Sequence, residues 1–176
     1  MRKAISLVGL GIALVGVAIS AGSVRPAPIK VVDTYERKCS SCHGKEGALL
    51  DKDFEKKYAS PSELREVVES MPGAIGMRSD ELDAMLAYMR AVSRREPFVV
   101  WTERRGDALV GEVAPAAARL EARAKREKLR VERPQPSQWR IALPKGVRPD
   151  DIEITAQRGT VRTTLRLKDS PYSHTK

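Results

Sequence analysis

The chain has 176 residues, 32 Lys/Arg against 23 Asp/Glu for a formal net charge of +9, and only two cysteines and two histidines. That basic surplus is uneven: residues 33–95 carry 11 Lys/Arg and 12 Asp/Glu, a net of −1, whereas residues 96–176 reach +6. A basic stretch is ordinarily a footprint for nucleic acid, but here it lies wholly outside the segment that carries the chain's only chemical motif.

Met1-Arg2-Lys3 is a basic start, and Ala4 to Val24 follows without a charge, closing in Ala18-Ile19-Ser20-Ala21-Gly22-Ser23. Residues 1–23 read as a secretory signal cleaved after Ser20 or Ser23. The rival is an uncleaved membrane anchor helix, because 21 uncharged residues are about enough to cross a bilayer. Small residues at 18 and 20 favour cleavage. In both cases the positive amino end stays inside and the rest of the chain is placed outside, in the periplasm or on the outer face of the cytoplasmic membrane. Residues 24–30, with two prolines and no periodicity, form a tether.

Val31, Val32, Tyr35 and Cys39 recur at helical spacing, so the pattern predicts a helix from residue 31 into Cys39-Ser40-Ser41-Cys42-His43. C-x-x-C-H is the attachment signature of c-type haem. Two thiols three positions apart lie on neighbouring sides of a helical turn, where both can form thioethers to one porphyrin, and the next residue delivers an imidazole to the iron. A redox dithiol would need a βαβ context that the sequence lacks. A closed zinc site needs roughly four ligands, and the other histidine, His174, is in the tail. Covalent haem attachment takes place outside the bacterial cytoplasmic membrane, so the export signal and the motif support each other. Thioethers would also consume the thiols that an oxidising compartment could otherwise join.

Gly44 stops the helix, and Lys45 to Ala59 reads as a loop or short helix along one haem edge. Ser60-Pro61-Ser62-Glu63 supplies an N-cap, a proline at the first helical position and a glutamate three residues after the cap. Leu64, Val67, Val68 and Met71 follow at helical period until Pro72-Gly73. Ser79-Asp80-Glu81 opens a last helix with an inner stripe of Leu82, Met85, Leu86, Met89 and Val92, and Tyr88 at its edge could pack near Tyr35.

Tyr35 to Gly44, then Met71-Pro72, then Ser79-Asp80-Glu81-Leu82 leading to Ala87-Tyr88-Met89-Arg90, resembles a small class I cytochrome c of bacteria over residues 31–95. The resemblance implies a mainly α haem domain, three to four helices around one haem. It implies Cys39 and Cys42 as the covalent attachments, His43 as the proximal iron ligand and a methionine as the distal one. Two features depart from the family: only 28 positions separate His43 from Met71, and no proline falls between Gly44 and Ser60 to orient the imidazole. Of five methionines, Met85 and Met89 sit on an apolar stripe and read as core. Met71, before Pro72 at a helix end, is the expected ligand, with Met77 in the same loop as runner-up.

Residues 96–176 read as a basic, mostly β region. Strand alternation is visible at Pro97 to Trp101, Ala108 to Val113, Trp139 to Leu143, Ile152 to Ile154 and Val161 to Leu167. Ala116 to Arg130 reads as a basic helix in preference to a strand. The expected function is electron transfer by a single haem c with His43/Met71 ligation, with no enzymatic activity. The carrier would be free or a subunit of a redox complex, meet partners with an acidic docking surface, associate with the membrane through its N-terminal helix, and bind no nucleic acid. The alternative is a haem sensor with a weak or open distal site.

Overall fold

The computed structural model describes residues 29–167. The apolar positions 31, 32 and 35 do form one face of a helix, α1 (Val31–Lys38), which breaks at Cys39 and resumes as the single turn α2 (Ser40–His43). The Ser40 hydroxyl donates to the Glu36 carbonyl at 2.6 Å across this break. Gly44, at φ 77°, ends the turn in a conformation that a side chain rarely adopts. Two 3-10 turns, Lys45–Gly47 and Phe54–Lys57, bury Leu50 and Phe54. In α3 (Pro61–Glu69) the Ser60 hydroxyl accepts from the Glu63 amide at 3.1 Å, while the Glu63 carboxylate accepts from the Ala59 amide at 2.6 Å. The last helix, α4 (Ser79–Ser93), starts on Arg78, whose amide donates to Glu81 at 2.9 Å. Its stripe of Leu82, Met85, Leu86, Met89 and Val92 is buried, and so is Tyr88, whose ring lies 4.8 Å from that of Tyr35.

Eight strands follow: β1 (Phe98–Arg105), β2 (Ala108–Ala114), β3 (Arg119–Ala124), β4 (Glu127–Leu129), β5 (Val131–Glu132), β6 (Gln138–Ala142), β7 (Ile152–Arg158) and β8 (Val161–Arg166). They form two antiparallel sheets, ordered β1-β2-β6-β5 and β4-β3-β7-β8. The result is three layers: helices, first sheet, second sheet. Strand alternation puts successive side chains on opposite faces. Thus Phe98, Val100 and Ala114 join the helices in one core, whereas Val99, Leu109 and Val113 join Ile152, Ile154 and Leu165 in another. Gly111 is required where the first sheet passes Trp139, because a Cβ there would lie 2.0 Å from the Val100 carbonyl oxygen and 2.2 Å from the indole ring.

Two expectations are overturned. The fold is not a mainly α haem domain of three to four helices with a small β appendage. More of the described residues lie in strands than in α-helices, and the two four-stranded sheets make the class α+β. Residues 116–130 are not a helix but the β3–β4 hairpin. Their Ala, Arg, Glu and Lys suit a helix by propensity, yet Ala122 and Ala124 point into the sandwich and pair with Ile154 and Ile152 of β7. Tertiary pairing overrides propensity there. Among the described residues no helix is long and apolar enough to cross a membrane; the proposed signal or anchor, residues 1–23, and His174 lie outside the described residues.

Candidate haem-attachment site

The C-x-x-C-H turn faces the end of α3 across a cavity of about 380 Å³, within the range of roughly 300–1,000 Å³ usual for ligand sites. Cys39, Cys42 and His43 line one side, Val68, Met71 and Ala74 another, and Met85 and Met89 of α4 lie at its inner end. The wall is mostly apolar apart from the motif and Lys38. Its residues arrive there for local reasons. The helix breaks at Cys39, so Cys42 and His43 lie on a separate turn, α2, that lines the cavity. Past α3, the Ala74 amide donates to the Met71 carbonyl at 2.9 Å and the Met77 amide to the Ala74 carbonyl at 3.0 Å, so residues 71–77 fold as successive turns, of which residues 71–74 line the cavity.

Gly73 brings those turns against the motif. A Cβ on it would lie 2.7 Å from the Lys38 carbonyl oxygen and 3.3 Å from Cys39 Sγ. Only a glycine allows that approach without displacing the backbone of the attachment helix.

Both cysteines are free thiols; Cys39 is half-buried and Cys42 exposed. Burial, the largest cause, pushes the Cys39 thiol above its ordinary range, with Lys38 pulling the other way. The Ser41 hydroxyl donates to Cys42 Sγ at 3.9 Å. The hydrogen bonds of His43 are backbone ones, its amide donating to the Cys39 carbonyl at 3.0 Å and its carbonyl accepting from Leu49 at 2.9 Å. Among the described residues no three His, Cys, Asp or Glu side chains gather as a site for a bare metal ion. The soft donors offered to the cavity are instead two thiols, one imidazole and thioethers.

Met71 therefore shares the cavity with all three motif residues, while Met77 does not: it lines a separate pocket with Ile29, Thr34, Arg37 and Met85. Met85 and Met89 were expected as plain core. They are buried, as expected, but they also line the cavity. Their i, i+4 spacing next to two further methionines was the available signal.

Reasoning from sequence missed the residues that hold this site onto the sheets. Glu112, on β2, is 3% exposed and accepts from the Val32 amide at 2.9 Å and the Asp33 amide at 3.3 Å, the first turn of α1. Its signal was a lone acid inside the apolar run Val110 to Ala114. Glu46 accepts from the Ala116 amide at 2.7 Å, while its own amide donates to Glu36 at 2.9 Å. Arg95 donates to the carbonyls of Gly47 at 3.2 Å and Ala48 at 3.4 Å.

No protein-family model matches the chain, and no curated protein matches it at a significant level.

Proposed function

We propose that the protein is an electron carrier with one covalently bound haem c, exported to the outer side of the cytoplasmic membrane. The observation that carries the reading is the cavity that C-x-x-C-H and Met71 line together. Its residues fit the group: Cys39 and Cys42 would hold it by thioethers, and His43 and Met71 would take the axial positions. When bound, the haem supplies a one-electron couple whose potential a histidine–methionine pair raises relative to harder ligands. The chain's own part is to fix donors and exclude water. Gly73 lets the Met71 turns close on the attachment helix. Val68, Met85 and Met89 keep the inner wall apolar, a lever on the potential in its own right. With His43 and Met71 both serving as donors to its iron, the chain would leave no open position for oxygen or peroxide, which favours a carrier over a catalyst. The basic surplus of residues 96–176 suits a partner with an acidic docking surface.

Met71→Ala tests the ligand set in protein made by a host that attaches haem in the periplasm. The expected outcome is a changed ferric spectrum and a lowered potential, with Met77→Ala leaving both as in the parent. A Met71→Ala protein that kept its spectrum and potential would sink the assignment.

A further inference from the structure

Outside this site, the most suggestive feature is a groove of about 450 Å³ where the segment after His43 meets the end of the second sheet. Glu46 and Pro115 form one side, and Arg119, Gln157 and Arg158 the other. Arg158 also lines an adjoining pocket with Lys45, Arg95, Glu46 and Glu96, so the joined depression holds four basic residues and two acidic ones. Some arginines of the described residues meet carboxylates, as Arg94 meets Glu55, Arg140 meets Glu132 and Arg166 meets Glu153, and others, such as Arg123, Arg126 and Arg162, do not. Among the described residues Arg119 and Arg158 have no carboxylate within ion-pair distance. Register adds to the effect: Arg119 on β3 is opposite Gln157, and Gln157 is opposite Arg162 on β8. Arg119 and Arg162 are thus two strand spacings apart, roughly 10 Å, with the uncharged Gln157 between them.

The groove is also built rather than incidental. Arg133 donates to the carbonyls of Ala118 at 3.0 Å, Ala116 at 2.9 Å and Gln138 at 3.1 Å, and to that of Pro136, which fixes the Pro115–Ala118 wall. Its guanidinium is satisfied by carbonyls alone, so it adds an uncompensated charge behind that wall. Glu46, the one acid lining the groove, is tied to the Ala116 amide at 2.7 Å. We propose that this groove binds a small polyvalent oxyanion, of the phosphate or polycarboxylate class, through Arg119 and Arg158. Arginine suits such ligands because its fork matches two oxygens at once. The inference does not depend on the haem reading.

Calorimetric titration of the full chain at low ionic strength, once with pyrophosphate and once with citrate, tests it. One site is expected for at least one probe, and the better probe identifies the ligand class. Arg119→Ala/Arg158→Ala should weaken it about 10- to 100-fold, whereas Arg140→Ala/Arg148→Ala, removing the same net charge elsewhere, should change it by less than about threefold. Glu46→Gln keeps an oxygen for the Ala116 amide while removing a like charge, and should tighten binding severalfold. No binding of either probe, or equal weakening by the two double variants, overturns the proposal. Should the Arg119/Arg158 variant not fold, Glu46→Gln decides alone, and unchanged affinity overturns the proposal.

Discussion

The helices of residues 31–93 and the two sheets of residues 98–166 bury their apolar surface in different ways. Between the sheets, Trp139, Ile141, Ile152, Ile154 and Leu165 close a core drawn mostly from strand residues, with Ala118 and Leu167 just beyond the strand ends. The helices do not close theirs: Phe98, Val100 and Ala114 of the first sheet complete it on one side, and the cavity below Met71 leaves it open on another. The rings of Tyr35, Tyr88 and Phe98 run in succession from α1 through α4 into β1, at centroid separations of 4.8 and 5.2 Å. A short helical segment can thus give up part of its own core to a ligand cavity because the first sheet supports its other face. The first sheet in turn relies on the helices to cover Phe98, Val100 and Ala114.

Gly111→Ala puts that dependence to the largest test. The added Cβ has no room beside Val100 and Trp139, and overpacking of this kind costs about 3 kcal/mol. Because the first sheet is shared, helical and β signals should melt together at the lowered temperature. Helices that survived the loss of the sheets would break the comparison.

Glu112 probes the same boundary through pH. Burial, the largest cause, pushes its carboxyl up to about 7 from an ordinary 4.5, against the pull of the Val32 and Asp33 amides. Between those two values the folded protein holds a proton that the unfolded chain has released, so stability falls as pH rises from 4.5 to about 7. Glu112→Gln has nothing to titrate and should flatten this fall in denaturation curves taken across the window. An equal slope in the variant would remove Glu112 as its source.

The smallest effect belongs to Tyr88. Its hydroxyl is buried with no hydrogen-bond partner among the described residues, and an unmet buried hydroxyl costs about 1 kcal/mol or more. Tyr88→Phe keeps the ring between Tyr35 and Phe98 and should leave stability unchanged or raise it by about 1 kcal/mol. A loss of that size would instead mean that the hydroxyl has a partner in solution.

The helices were legible because each carries its own punctuation: the stripe at 31, 32 and 35, the stop at Gly44, the Ser60–Glu63 capping pair, and the stripe of α4. Strands such as β6, read at Trp139 to Leu143 and found at Gln138–Ala142, were legible from alternation. The class was not, because nothing local in Arg119 to Leu129 reveals that Ala122 and Ala124 have an isoleucine strand beside them. The placing of Met71 with the cysteines followed from turn signals at Pro72-Gly73. The supports from Glu112, Glu46 and Arg95 join residues tens of positions apart, and such pairing leaves no periodic trace.

The most direct measurement on the central claim is the visible spectrum of the dithionite-reduced protein before and after carbon monoxide, on full chain made where haem is attached. The account predicts a six-coordinate c-type spectrum that carbon monoxide leaves unchanged, because His43 and Met71 would both be bound to the iron. Ready formation of a carbonyl complex would contradict it and move ligand sensing ahead of electron transfer.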